Sequence, residues 1–169
     1  LKQNSGFTLI ELMITLAVLA VVLGIAMPAI SDFAIKQRVS SQANEMMLSL
    51  AFARSEAVKL NRDVRIMPLT AAANGWGDGW CVGPDTIDNC SHADVVRLFS
   101  SINGVSITSS GIANPPVVVF RRDGTSTQNQ VRLKVTSPNL NATGEPARCI
   151  TLNRQGRAEV RKTTRDAAC

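Results

Sequence analysis

The chain has 169 residues, 45% of them hydrophobic and 18% charged, with a formal net charge of +5. That length holds one ordinary domain plus an anchoring segment and excludes two sizeable cores. With a single His at position 92, no Tyr, and no HExxH, GxSxG or CxxC pattern, it offers no catalytic constellation and reads as a non-enzymatic protein.

From Leu12 to Ile30 there is no charged residue. The apolar run Leu9–Ile30 is long enough, at about 1.5 Å per residue, to cross the roughly 30 Å hydrocarbon layer of a membrane. It reads as a transmembrane helix rather than a secretory signal, because no A-x-A cleavage pattern follows it. Ahead of it stands a short polar peptide, residues 1–6, with one cation at Lys2. Glu11 lies inside the apolar stretch that begins at Phe7. A carboxylate at bilayer depth costs about 2.5–3.5 kcal/mol on insertion scales, so Glu11 marks a paired or functional position, or one near enough to the helix end to stay among headgroups. Gly24 and Pro28 punctuate the helix, and a proline there removes a backbone hydrogen bond and predicts a kink or local melting.

Beyond Ile30 the pattern becomes amphipathic. Ile35, Val39, Ala43, Met46, Met47, Leu50, Ala53, Ala57 and Val58 recur at helical spacing and predict a face packed on a domain, with the methionines filling core. Arg54 and Glu56 fall on the polar side of that stripe and are expected to be exposed. Asn61 and the strand-like residues after it end the helix near Leu60. Residues 7–30 then form a membrane half, residues 31–61 an amphipathic half and residues 62–169 a globular head. The whole helix would measure roughly 80 Å.

In the head, short β-branched and apolar runs alternate with Gly, Pro, Asn and Asp, the pattern of an antiparallel sheet. Strands are expected at 63–68, 79–83, 95–99, 104–108, 116–121, 130–136, 148–153 and 157–161. Arg122-Asp123-Gly124 and Asn153-Arg154-Gln155-Gly156 read as hairpin turns, with glycine available for positive φ. The segment Gly75–Trp80 is rich in glycine but lacks the Lys and Ser/Thr of a phosphate loop, so its two tryptophans read as closing an edge of the core. The fold class is α+β: a long N-terminal helix packed on an antiparallel β-sheet head.

Cys81, Cys90, Cys149 and Cys169 all lie in the polar part, and an even number fits disulfides made in an oxidising compartment. Of the three pairings possible, Cys81 with Cys90 and Cys149 with Cys169 each close a local loop and are favoured. Cations gather late in the chain, among them Arg154, Arg157, Arg161 and Lys162. They read either as a solvated face broken up by Glu145, Glu159 and Asp166 or as an anion contact. His92 with Cys90 is too small a set for zinc, and Asp78, Asp85, Asp88 and Asp94 lack the spacing of a calcium loop. No metal or cofactor is expected.

Gly6-Phe7-Thr8-Leu9-Ile10-Glu11 resembles the cleavage and N-methylation motif of type IV prepilins and type II secretion pseudopilins. The resemblance implies that residues 1–6 are a leader. A prepilin peptidase would cut between Gly6 and Phe7 and methylate the new amino group of Phe7. Glu11 would then neutralise a neighbouring subunit's N-terminal amine during assembly. The physics agrees, because an ammonium and a carboxylate in low dielectric each remove the other's burial penalty. The family is similar in having a bent helix that can unwind around a proline such as Pro28.

Ala51–Ala57 resembles the ARSEA element of the subfamily that includes FimT, FimU and the secretion pseudopilin GspH. That group is also similar in having a Gly-Trp before a strand and a Phe with a following Gly, here Phe120 and Gly124. The resemblance implies a pilin-like fold and a minor pilin of the type IV pilus, in a tip or priming complex that supports pilus assembly and twitching motility. Its alternative is a type II secretion pseudopilin. The implied partners are other minor and major pilins, the inner-membrane assembly platform, the prepilin peptidase and, before assembly, membrane lipid. The implied location is the inner membrane of a Gram-negative bacterium, with a periplasmic head that later joins the filament. DNA is a further candidate partner, because some FimT-like pilins bind it through a Gly-Arg-x-Arg stretch. Gly156-Arg157-Ala158-Glu159-Val160-Arg161 departs from that stretch in spacing and in carrying Glu159.

Overall fold

The structure, a computed structural model, describes residues 7–169, with side-chain surroundings for all of them except residues 26–29. It comprises two compact units, divided between Ala34 and Ile35.

The first unit is the N-terminal part of helix α1, which runs over Leu9–Leu60. Its large apolar side chains, from Leu9 to Leu23, stand exposed on the chain. Among the described residues no single helix is long and apolar enough to cross a membrane, but the consecutive segments Leu9–Ile25 and Ile30–Leu60 are so together. At Gly24, an added Cβ would meet nothing within 4 Å. The surroundings of Pro28, where the kink was expected, lie outside the described residues.

The second unit holds the rest of α1 and strands β1 (Val64–Pro68), β2 (Trp80–Pro84), β3 (Arg97–Phe99), β4 (Ser106–Ser110), β5 (Val118–Phe120), β6 (Val131–Thr136), β7 (Ala147–Leu152) and β8 (Ala158–Thr163). They form two four-stranded antiparallel sheets, in the orders β3-β2-β1-β5 and β4-β6-β7-β8. The split into two sheets refines the single sheet expected from the strand pattern. It arises because β5 returns to pair with β1, while β4 pairs with β6.

All eight expected strands are present, with β4 displaced by two residues from 104–108. The reason is local: Gly104 has φ of +80° and the Val105 N–H donates to the Ile102 carbonyl, so a turn occupies the positions read as strand. The helix ends where Asn61 takes φ of +50°. Asn61 N–H reaches the Val58 carbonyl and Arg62 N–H the Ala57 carbonyl, the paired bonds of a left-handed helix cap.

One core joins the helix to both sheets. Val39, Ala43, Met46, Leu50, Ala53 and Ala57, spaced alternately by four and three, are all buried, as a single packed stripe requires. They meet Val64, Ile66, Trp80, Val82, Val118 and Phe120 of the first sheet and Ile107, Val131, Leu133, Val135, Ile150 and Leu152 of the second. Full burial of each large side chain is worth about 1.5–3 kcal/mol. Strand β6 shows the period of two plainly: Val131, Leu133 and Val135 are buried, and Arg132, Lys134 and Thr136 are not. Trp76 and Trp80 are both fully buried, and Trp80 stacks on Phe99 with ring centroids 5.7 Å apart.

Two expected helix positions differ from the reading of the stripe. Val58, placed on the buried face, is 53% exposed, because it lies about 100° around the helix from buried Ala57, on the same face as exposed Arg54 four residues before it. The Glu56 side chain, placed on the exposed face, is only 12% exposed and pairs with Lys59 at 3.2 Å. It stands one residue before fully buried Ala57, at the margin of the core face.

Candidate functional site

The residues singled out in the sequence fall into three groups in the structure. The first is at the start of the helix. Phe7 is 87% exposed. Thr8 is the residue before the first helical turn, and Glu11 is the third within it. The Thr8 N–H and the Thr8 hydroxyl each donate to Glu11 Oε2 at 3.0 Å, and the Glu11 N–H donates to Thr8 Oγ1 at 3.2 Å. This is a reciprocal capping box: two N–H groups that a helix start leaves without partners are satisfied by side chains. Within the chain, then, Glu11 is held by Thr8. Thr8 escaped the sequence reading, although Thr-x-x-Glu before an apolar run is a signal that would have found it. Gly6, the other half of the expected cleavage site, lies outside the described residues.

The second group surrounds Arg54. The turns after β5 and after β7 come together beneath it. A Cβ at either Gly124 or Gly156 would stand 3.2 Å from Arg54 Nε, so the guanidinium stem covers both turns. The turn at Gly124 is further held by Asp123, whose carboxylate accepts from the Thr125 N–H at 2.9 Å and the Thr125 hydroxyl at 2.7 Å. These hydrogen bonds hold the Asp123 carboxyl below its ordinary pKa. The ARSEA arginine thus joins helix to sheet through the two turns.

The third group is the cationic set, which the structure divides. On the outer face of the second sheet, Arg157 and Arg161 flank Glu159, at 3.3 and 3.6 Å from its carboxylate oxygens. Gln130, Arg132, Thr151 and Asn153 complete that shallow concavity. Arg154 is not among them: it is exposed in the turn, and its carbonyl accepts from the Ser126 N–H. Lys162 is also elsewhere, in a cleft with Lys36 and Arg148.

Disulfides join Cys81 to Cys90 and Cys149 to Cys169. The first closes the loop after β2, where Arg65 also grips Asp85 at 2.7 Å and donates to the Ile87 carbonyl. The second lays the C-terminal tail on the outer face of β6 and β7. There the Lys134 ammonium donates to the carbonyls of Arg165 and Ala167, and Arg165 donates to the Leu140 carbonyl. Arg165 also donates twice to Asp166, at 3.0 and 3.1 Å, which holds the Asp166 carboxyl below its ordinary pKa. His92 Nδ1 accepts from the Asp94 N–H, and among the described residues no cluster of three or more metal-ligating side chains exists.

No curated protein matches the chain in sequence. The fold is similar to that of the type IV minor pilin FimU of Pseudomonas aeruginosa, at TM-score 0.61 and 22% identity over 76% of this chain and 92% of that one. It is also similar to the minor pseudopilin EpsH from the type II secretion system of Vibrio cholerae, at TM-score 0.54 and 12% identity over 74% of this chain and 97% of that one. Residues 1–27 match the prokaryotic N-terminal methylation motif. Residues 42–156, more than half of the chain, match the family described as type II transport protein GspH, and the chain belongs to that family.

Proposed function

We propose that the chain is a minor pilin, a structural subunit that enters a type IV pilus through its N-terminal helix, at low copy number and within a tip or priming complex. The observation that carries this reading is the conjunction of the methylation motif over residues 1–27 with a GspH head over residues 42–156. The chain would be a single-pass inner-membrane protein with a periplasmic head until assembly. A prepilin peptidase would cut between Gly6 and Phe7 and methylate Phe7.

In this reading Glu11 changes partner on assembly. Before it, the carboxylate accepts from Thr8. In the filament it would face a neighbouring subunit's Phe7 ammonium, and where water is excluded a pair of opposite charges exceeds a carboxylate's hydrogen bonds to uncharged donors in strength. The exchange favours the one register in which amine and carboxylate meet.

The alternative within the same chemistry is a type II secretion pseudopilin, and the fold likeness to EpsH keeps it open. Deleting the gene separates the two: loss of twitching motility with intact enzyme secretion supports the pilus, and the reverse supports the pseudopilus. A DNA contact through the cationic C-terminal residues receives less support, because Glu159 sits between Arg157 and Arg161 and pairs with both.

A further inference from the structure

Lys36, Arg148 and Lys162 line one cleft, together with Glu145 and the loop residues Thr143, Gly144 and Pro146. Arg148 and Lys162 are direct partners in the register of β7 and β8, an arrangement that costs free energy when both are cations. Lys36 adds a third positive charge from the helix. Among the described residues none of the three cations makes an ion pair, and Glu145, the one acid in the cleft, leaves the set two charges in excess. Arg148 Nη1 is spent on the backbone carbonyls of Glu145, Pro146 and Ala147, which fixes the guanidinium. Its Nε and Nη2 have no protein acceptor among the described residues.

An excess of positive charge concentrated in a cleft, with no cation held in an ion pair, is the chemistry of a phosphate site. The cleft holds about 250 Å³, against a share of roughly 30 Å³ for one water in the liquid, so a phosphate ester fits. Its place along the chain points to the source. Lys36 follows Ile30, the end of the uncharged run, by six residues, about 9 Å of helix. The headgroup layer outside the hydrocarbon is about 5–7 Å deep on each side, which a lysine side chain spans.

We infer that the cleft between Lys36, Arg148 and Lys162 binds a phosphate group, presented by an anionic lipid of the membrane that holds the subunit before assembly. The lipid source rests on the membrane-anchored reading above; the phosphate site itself does not. Occupancy ties the cleft to the lipid surface, and extraction into a filament has to break that contact.

The test uses the full chain in nanodiscs of phosphatidylcholine, with or without phosphatidylglycerol, and reads amide hydrogen exchange over residues 143–148. Slowing on addition of phosphatidylglycerol, reduced about fivefold for each lysine removed in Lys36→Gln and Lys162→Gln, supports a lipid phosphate. Both lysines are exposed, so these variants keep the fold, and unchanged exchange in β1 and β6 verifies that. Slowing by inorganic phosphate alone, in phosphatidylcholine discs, supports the cleft and assigns a soluble source. No slowing in either arm, or equal slowing in the double variant, overturns the inference. A chain that fails to enter nanodiscs counts against the anchor, while the phosphate arm, run in detergent, still decides the cleft.

Discussion

Gly156 lies directly against Gly124: a Cβ at Gly156 would fall 2.1 Å from the Gly124 carbonyl oxygen. Both glycines have positive φ, +74° and +80°, and both turns sit under Arg54. The two hairpin ends therefore form one contact on which the helix rests.

The contact sets an order of effects. Gly156→Ala meets backbone, which cannot swing aside, in addition to the cost of positive φ. Gly124→Ala meets only the Arg54 and Val58 side chains, at 3.2 and 3.3 Å, which can shift. Urea unfolding should show Gly156→Ala destabilised by about 3 kcal/mol or more and Gly124→Ala by about 1 kcal/mol. Equal losses would mean that the turns do not touch.

Thr8→Ala should loosen the start of the helix. It removes both hydroxyl bonds to Glu11, and loss of such a cap costs about 1 kcal/mol. Faster amide exchange over residues 9–12, with exchange in the head unchanged, is the expected result. Glu11→Ala should loosen the same turn and, in addition, leave the chain inserted in the membrane but missing from sheared filaments.

The disulfides should differ in what their removal frees. By loop-closure entropy, the Cys81–Cys90 bridge, with a sequence separation of 9, contributes about 2.6 kcal/mol, and Cys149–Cys169, with a separation of 20, about 3.3 kcal/mol. Replacing Cys149 and Cys169 with Ser should also release residues 164–169 to rapid proteolysis. Replacing Cys81 and Cys90 should instead expose the loop that Arg65 and Ile87 hold.

The turn at Asp123 should weaken in acid. Its folded pKa lies below the unfolded value near 3.8, so its stabilising effect is complete above that value and is lost as pH falls through the lower, folded pKa. The Asp123 carboxyl carbon, followed by NMR, should titrate below an unfolded peptide's. Asp123→Asn should remove the acid sensitivity of the Arg121 and Thr125 amides.

The strands and the helix end were legible in the sequence because their signals are local. Val131, Leu133 and Val135 alternate with Arg132, Lys134 and Thr136, and Asn61 marks the cap by its own backbone preference. The division into two sheets was not legible, since nothing near Val118 says that β5 will cross back to β1. Glu56 and Val58 were misplaced because each stands at the margin of the stripe, one residue to either side of buried Ala57. The role of Gly156 was half visible: its sequence announces a turn but not the second turn packed against it. Thr8 was legible too, since Thr8-x-x-Glu11 ahead of an apolar run is the pattern of a capping box.

The central claim is that the chain works as a filament subunit bearing a processed first residue. Intact-mass and N-terminal peptide mass spectrometry of the protein from sheared surface filaments tests it most directly. The account predicts a polypeptide beginning at Phe7 with a methylated amino group. Recovery only of a form that retains residues 1–6, with no methyl group on Phe7, would contradict it.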